Sequence, residues 1–119
     1  MENKEFGRLL EIRTKTFAIS IIKLSASLPN TSEGKVIKNQ ITKSGTSVGA
    51  NYREANRSRS KADFTNKIRI CESEANETMY WLEIISELFL IESNNLKIII
   101  TEADELIAIF TSISSKLRN

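Results

Sequence analysis

The chain has 119 residues, of which 40% are apolar, 7% aromatic and 27% charged. This composition suits one compact domain with a hydrophobic core, and the chain is too short for two. Seventeen Lys and Arg against fifteen Asp and Glu give a net charge of +2, which excludes the strongly basic composition of histone-like nucleic-acid binders. The single cysteine, Cys71, cannot form an internal disulfide, so we expect a reducing, cytoplasmic environment.

The sequence lacks the features of a secreted or membrane protein. The N-terminal segment carries acidic residues as well as Lys4 and leads to only a short apolar stretch, unlike a signal peptide. The longest uninterrupted apolar runs, such as 88–91 and 98–100, fall far short of the roughly 20 residues that span a bilayer. We therefore expect a soluble protein without a membrane partner.

Hydrophobic periodicity predicts a first helix at about residues 7–28, followed by Pro29. With only four glycines and one proline in the chain, long helices are favoured over a sheet of many short strands. The apolar residues of this helix recur every three or four positions, as burial of one helix face requires. They are Phe17, Ile21, Leu24 and Leu28.

The second helix is predicted at about residues 33–56, after three residues of N-cap type at 30–32. Gly45 and Gly49 lie four residues apart on one face, which predicts close approach of another helix backbone and offsets a cost of about 1 kcal/mol each relative to Ala. The predicted buried stripe is small and polar for a core. It contains Ile37, Ile41, Ser44, Val48 and Ala55.

The third and fourth helices are predicted at about residues 61–91 and 96–117. Ser60 and Asp63 have the spacing of a capping box before the third helix. Its near-heptad seam comprises Phe64, Ile68, Cys71, Ala75, Thr78, Leu82, Ile85 and Phe89. The stripe of the fourth helix comprises Ile99, Ala103, Leu106, Phe110, Ile113 and Leu117.

These four stripes predict an all-α, antiparallel up-down-up-down four-helix bundle, a single domain over residues 1–119. Short connections between amphipathic helices force consecutive helices to run antiparallel. The same stripes also suit a three-helix core with the first helix swapped onto a neighbouring chain. Periodicity does not separate these packings, nor does it give the number of chains that share a core.

Charge is distributed unevenly along the chain. Residues 1–34 carry a net charge of +1, residues 35–69 carry +7 and residues 70–119 carry −6. The basic block is centred on the turn between the second and third helices, where arginine can pair bidentately with phosphate. We predict a nucleic-acid-binding surface there, called the basic surface, made of Arg53, Arg57, Arg59, Lys61, Lys67 and Arg69.

The alternative is that these cations pair with acids of the bundle and form a solvated, salt-bridged surface. The candidate acids on the third helix are Glu72, Glu74, Glu77, Glu83 and Glu87. Because that helix runs away from the turn, its acids lie farther from the turn than a Debye length of about 8 Å. The cations of the turn are therefore expected to stay unpaired.

The absence of histidine excludes most catalytic and metal sites known in helical bundles. Di-metal carboxylate sites use a Glu-x-x-His pair on two helices, and nucleophilic triads use a His base. We therefore expect a non-enzymatic protein with no cofactor and no metal. The remaining enzymatic alternative is a polar pocket of Glu54, Glu77 and Arg69, which needs a carboxylate with a strongly shifted pKa.

Three polar residues and two aromatic residues complete the candidate positions. Asn51 follows the buried stripe of the second helix, so we expect it to be half-buried and bonded to Glu54 or to a polar group of the third helix. Asn51, Glu54 and Glu77 are the predicted buried polar residues that fix helix register. Tyr80 and Trp81 are adjacent and cannot both face one core, which predicts a subunit interface and a homo-oligomer.

Four segments of the chain closely resemble a known protein family. They are NQI at 39–41, SGTSVGANYREA at 44–55, SKADF at 60–64 and EANETMYWL at 74–82. The chain resembles the bacterial four-helix-bundle proteins first noticed as reading frames within intervening sequences of 23S ribosomal RNA genes. The resemblance implies a bundle that assembles as a ring-like homopentamer.

A related branch of that family serves as the accessory protein of diversity-generating retroelements, where a basic pentamer binds nucleic acid and a reverse transcriptase. The resemblance therefore implies a homo-oligomer that contacts RNA or DNA phosphates through its basic surface. The chain departs from that branch in its nearly neutral total charge of +2. The alternative function is a scaffold or accessory subunit that binds a protein partner and no nucleic acid.

Overall fold

The computed structural model describes residues 4–91 and 93–118 and confirms the all-α four-helix bundle. Its helices are α1 (Lys4–Ser25), α2 (Ser32–Ala55), α3 (Lys61–Glu87) and α4 (Asn94–Leu117). Each helix packs against the next one in the chain, and α4 also returns to contact α1. All four helices thus share one core within a single chain, which measures 44 × 24 × 21 Å.

Three helices begin at a hydroxyl cap, because the first backbone N–H groups of a helix have no partner within it. The capping residues predicted before α2 and α3 are confirmed, and α4 begins in the same way. In each cap the side-chain hydroxyl oxygen accepts a hydrogen bond from the backbone N–H three residues later. The pairs are Thr31 and Gly34 at 3.0 Å, Ser60 and Asp63 at 3.0 Å, and Ser93 and Leu96 at 3.2 Å.

Helix α1 ends at Ser25, three residues earlier than predicted. The N–H groups of Ser27 and Leu28 donate to the carbonyls of Leu24 and Ser25, each at 3.1 Å. These bonds span three residues rather than four, so the chain tightens and leaves the helix before Pro29. Leu28 remains buried although it lies outside the helix.

Helix α3 ends at Glu87, four residues earlier than predicted, because Phe89 adopts a left-handed φ of 52°. The Leu90 N–H donates to the Ile85 carbonyl at 3.1 Å and the Phe89 N–H to the Ser86 carbonyl at 3.2 Å. These two bonds form a Schellman cap with phenylalanine where glycine is usual. Phe89 is 72% exposed, so its predicted place in the core is wrong.

The core forms where the four predicted stripes meet. Almost every predicted stripe residue within the helices is buried, whereas Phe64 and Leu117 are partly buried at its edge. Sequence analysis missed Tyr52, which is completely buried and whose ring lies 5.6 Å from that of Phe110 in an edge-on contact. This contact joins α2 to α4 across the centre of the bundle.

Helices α1 and α2 approach closely at the two glycines, as predicted. A Cβ atom on Gly45 would lie 2.8 Å from Cγ2 of Ile21, and one on Gly49 would lie 3.0 Å from Oγ1 of Thr14. Both distances are shorter than ordinary van der Waals contact, so only glycine lets α1 pack at this depth.

The contact between α1 and α4 is the least extensive in the bundle, and Arg13 bridges it. Its guanidinium donates to both carboxylate oxygens of Glu102, at 2.6 and 2.7 Å, and to Glu105 at 2.5 Å. The bonds to Glu102 raise the pKa of Arg13. This two-acid ion pair holds α1 against α4 where apolar packing is sparse.

Candidate nucleic-acid interface

The basic surface lies at the end of the bundle where α2 ends and α3 begins. Residues 56–60 form the connecting turn, which is held by the Ser58 hydroxyl donating to the Ala55 carbonyl at 2.6 Å. An open depression of about 440 Å³ lies beside the turn, and its charged lining consists of the cations Arg57, Arg59 and Lys67 and the acids Glu54 and Asp63. Its cations outnumber its acids, so the depression suits an anionic group such as phosphate.

Four of the six predicted cations have no ion-pair partner among the described residues. Arg57, Arg59, Lys61 and Arg69 are exposed, and none takes part in the ion pairs found among residues 4–91 and 93–118. The Arg57 guanidinium lies 3.4 Å from the Arg53 carbonyl, so it folds back over the last turn of α2. These four charges face solvent, and within the described ranges no carboxylate lies at ion-pair distance from them.

The other two predicted cations are paired with acids. Lys67 Nζ donates to Glu54 Oε1 at 2.8 Å, and Arg53 Nε lies 3.8 Å from Glu11 Oε1. The bond between Lys67 and Glu54 lowers the pKa of the Glu54 carboxyl and raises the pKa of Lys67. Exposed pairs of this kind stabilise a fold only weakly, so either cation can exchange its carboxylate partner for a phosphate.

The alternative considered from the sequence, pairing with acids of the bundle, occurs for Arg53 and Lys67. Among the described residues it does not involve the five acids named on the third helix. None of the ion pairs in the described ranges joins a cation of α2 to an acid of α3. Glu72 instead accepts a hydrogen bond from Thr111 of α4 at 2.8 Å. Separation along α3 thus keeps the acids at residues 72–87 away from the cations of the turn, whereas Asp63 at the start of α3 lies beside them.

Two predicted buried polar residues are not buried. Glu54 is exposed and bonded to Lys67, and Glu77 is exposed and accepts from Trp81 Nε1 at 3.2 Å. Their prediction as buried residues is wrong because both positions lie off the core-facing stripes of their helices. Asn51 is half-buried as expected, but its amide donates to the Ser47 carbonyl of the preceding turn at 2.8 Å, so the predicted partners are also wrong.

The buried polar contact of this bundle is a hydroxyl pair that sequence analysis missed. The hydroxyl oxygens of Ser44 and Thr78 lie 2.9 Å apart between α2 and α3, with both residues at most 1% exposed. The Thr78 hydroxyl also donates to the Glu74 carbonyl at 2.8 Å. The signal was present, since both hydroxyl residues occupy core positions of the predicted stripes.

The adjacent residues Tyr80 and Trp81 lie in different environments, one in solvent and one at the edge of the core, as their angular separation on the helix predicts. Tyr80 is 56% exposed, whereas Trp81 is partly buried against the core. Their rings meet edge-on with centroids 5.1 Å apart. Tyr80 and Trp81 are called the aromatic surface below.

The carboxylates of the described ranges are not clustered as metal ligands. These residues contain no group of three or more Cys, Asp or Glu side chains that could hold a metal ion. Burial raises the pKa of Glu74, and the nearby Glu77 adds to this effect. The pKa of Glu54 is instead lowered by Lys67, which is opposite to what a proton-donating acid in the proposed polar pocket would need.

A sequence profile of the 23S rRNA-intervening sequence proteins matches residues 10–112. The chain belongs to the 23S rRNA-intervening sequence protein family. The matched range includes all six cations of the basic surface and the aromatic surface. No curated protein shows significant similarity to the chain.

A solved relative supports the fold of this family member. The crystal structure of a protein of unknown function from the S23 ribosomal protein family of Bacteroides thetaiotaomicron VPI-5482 is 38% identical. The alignment covers 87% of this chain and 96% of that one, with a TM-score of 0.80. Within the described residues, no helix is long and apolar enough to cross a membrane.

Proposed function

We propose that this family member is a non-enzymatic, cytoplasmic homopentamer that binds the phosphates of structured RNA or duplex DNA through its basic surface. The observation that carries the proposal is the group of exposed cations at one end of the bundle that have no ion-pair partner in the part of the chain that the structure describes. They are Arg57, Arg59, Lys61 and Arg69. The pentamer is supported by the family membership and by the exposed aromatic surface.

Separation of charge makes this surface effective despite the low total charge of +2. Glu72 lies eleven residues after Lys61 on the same helix, or about 16 Å along its axis at 1.5 Å per residue. That distance exceeds a Debye length of about 8 Å at physiological salt. A phosphate at the turn therefore lies away from the acids at residues 72–87, and the carboxylates that it meets in the depression are those of Glu54 and Asp63.

A ring repeats the cations once in each subunit, and this repetition supplies affinity. Single exposed contacts to phosphate are weak, but contacts on one rigid assembly act together and raise the apparent affinity by avidity. Neutralisation of several phosphates also gives a steep dependence on salt. Arg57 and Arg59 lie on the turn, and the other four cations lie on α2 and α3. At the end of a bundle these cations can reach phosphates, so we expect contacts to the backbone without recognition of base sequence.

The test is a titration of labelled structured RNA and duplex DNA with nuclease-treated protein over a series of salt concentrations. We expect saturable binding, with the logarithm of the binding constant falling linearly against the logarithm of salt concentration. Each phosphate contact contributes about 0.9 to that slope on duplex DNA. The double variant Arg57→Glu/Arg59→Glu should weaken binding at least tenfold at low salt and reduce the slope.

The control variant is Lys35→Glu/Lys97→Glu, which changes the total charge equally. Both residues are exposed and begin helices at the opposite end of the bundle. We expect its affinity to stay within about twofold of the parent, since these residues lie more than a Debye length from the turn. Equal losses in both variants would show that total charge, rather than the basic surface, governs binding.

Absence of binding by the intact oligomer at low salt would overturn nucleic-acid recognition and support the scaffold function. The exposed ring of Tyr80 favours that second function, because aromatic side chains are enriched at protein interfaces. In that case the cations would serve contacts between subunits. The Arg57→Glu/Arg59→Glu variant would then lower the mass of the oligomer or its melting temperature, rather than its affinity for nucleic acid.

A further inference from the structure

Helix α1 has a second apolar face, which points away from the core. Leu9, Ile12, Ile19 and Ile22 are between 46% and 51% exposed. Their spacing of three, seven and three residues places them together on one side of the helix, opposite its buried stripe. They are called the α1 outer face below. Large apolar side chains exposed together on one helix face indicate an interaction site.

We propose that the α1 outer face of one subunit packs against the aromatic surface on α3 of a second copy of this chain. This inference rests on the proposed homo-oligomer and identifies the surfaces that build it. The two surfaces are on different helices of each protomer, so the contact is heterologous. A heterologous contact forms a closed ring when its rotation closes, as a pentamer requires.

Two residues in the C-terminal half of the α1 outer face lie at the heights of apolar residues on α3. Helices α1 and α3 run in the same direction in an up-down-up-down bundle. Ile19 lies six residues before the end of α1, and Tyr80 lies seven before the end of α3. Ile22 and Ile84 each lie three residues before the ends of their helices. Protomers that share one axial direction around a ring therefore bring these side chains to the same level.

The charges beside the two surfaces are complementary at the same heights. Lys15 and Glu77 each lie ten residues before the end of their helix. Lys23 lies two residues before the end of α1. On α3, Glu83 lies four residues before the end and Glu87 is the last residue, so the height of Lys23 falls between those of the two acids. All five are exposed, and none has an ion-pair partner among the described residues. Opposite charges facing each other specify a second copy as the occupant.

This arrangement leaves the basic surface open. The contact is centred near the last three turns of α1 and α3, whereas the basic surface surrounds the start of α3. All basic surfaces of a ring would then lie on the same side of the assembly. The inferred interface is thus compatible with simultaneous phosphate contacts from several subunits.

Cross-linking between two differently substituted chains tests the contact directly. Chains carrying Ile19→Cys are mixed with chains carrying Tyr80→Cys, allowed to exchange subunits and treated with a short bis-maleimide. The native Cys71 is completely buried and burial raises its pKa to about 12, so it stays unreactive in the folded protein. We expect a product of one chain of each kind.

The control mixture replaces Ile19→Cys with Ala108→Cys, an exposed position on α4 outside both surfaces, and should give little product. Equal cross-linking by the Ala108→Cys and Ile19→Cys chains would overturn the proposal. Cross-linking of Ile19→Cys chains only to one another would also overturn it, because that product requires an α1–α1 contact.

Oligomer mass gives an independent measurement. Ile19→Glu/Ile22→Glu should reduce the mass measured by light scattering to that of a single chain, 13.5 kDa, with helical circular dichroism retained. The matched variant Ala108→Glu/Thr112→Glu adds two acids to the exposed face of α4 and should keep the oligomer. An Ile19→Glu/Ile22→Glu variant with the parent mass would refute the inferred interface.

Reversal of charges on both surfaces tests whether these particular residues face each other. Restoration of the oligomer by the second pair of substitutions would also show that the first pair did not act by unfolding the chain. Lys15→Glu/Lys23→Glu should weaken the oligomer, and adding Glu77→Lys/Glu83→Lys to the same chain should restore it. Failure of this restoration in folded chains would refute the charge pairing. Nucleic-acid binding is measured separately, so an oligomer that forms by another face refutes this inference and leaves the basic-surface proposal intact.

Discussion

The close packing of α1 on α2 predicts that Gly45→Ala destabilises the protein, although alanine favours helix formation. The new Cβ would lie 2.8 Å from Cγ2, 2.9 Å from Cγ1 and 3.0 Å from Cβ of Ile21. Ile21 is completely buried, and a β-branched residue in a helix has one strongly preferred χ1 rotamer. The isoleucine therefore cannot swing away, and α1 must move outward from α2.

The expected magnitude follows from two opposing effects. Replacing glycine by alanine inside a helix gains about 1 kcal/mol, whereas overpacking a core costs about 1–3 kcal/mol. Because three atoms of Ile21 crowd the new methyl group, we expect the larger cost. The free energy of unfolding should fall by about 1–2 kcal/mol, measured by urea unfolding monitored with circular dichroism at one fixed protein concentration.

Two further variants identify the cause. In Gly7→Ala the new Cβ would meet Asn56 Nδ2 at an ordinary 3.5 Å, so this change should raise stability by up to about 1 kcal/mol. Adding Ile21→Ala to Gly45→Ala removes two of the three crowding atoms, and the double variant should lose about 1 kcal/mol less than the sum of the single losses. A Gly45→Ala protein as stable as the parent would refute close backbone packing as the reason for this glycine.

Three other predictions concern single features of the fold. Ser44→Ala should cost about 1–2 kcal/mol in the free energy of unfolding, because it leaves the buried Thr78 hydroxyl without one partner; a loss below a few tenths in urea titration would contradict this. Phe89→Gly should raise the melting temperature, since the left-handed region costs a non-glycine residue about 1–2 kcal/mol; an unchanged or lower value would contradict the strain. The folded-state pKa of Glu54 is lowered by Lys67, so their pairing stabilises the fold above the ordinary glutamate pKa and is lost as pH falls through the folded value. Glu54→Gln should therefore flatten the loss of stability in acid, measured by melting at a series of pH values, and an unaltered pH profile would count against the pair.

Local sequence patterns predicted the helices because helix formation depends on residues three and four positions apart. The stripes through Ile41 and Leu82 correctly gave the buried faces, and Ser60 correctly marked the start of α3. The end of α3 was not predictable in the same way. Phenylalanine seldom adopts a left-handed φ, so the identity of residue 89 did not predict that α3 ends in a Schellman cap there.

The candidate site was predicted as a group but not in its internal contacts. Proximity along the chain places Arg57, Arg59 and Lys61 around one turn, and the structure shows them exposed there. The partner of Lys67 is Glu54, thirteen residues earlier, which meets it only because α2 and α3 fold back on one another. Sequence could not show which of the six cations this contact neutralises.

The sequence by itself determined four amphipathic helices, their antiparallel order and an uneven distribution of charge, since each follows from residue type and spacing along one chain. Only the tertiary structure decided that Ser44 meets Thr78 in the core, that Glu54 and Glu77 face solvent, and that α1 keeps a second apolar face. These features depend on the axial positions and rotations of the packed helices. Those are set by the shapes of side chains from distant parts of the sequence, such as Gly45 against Ile21.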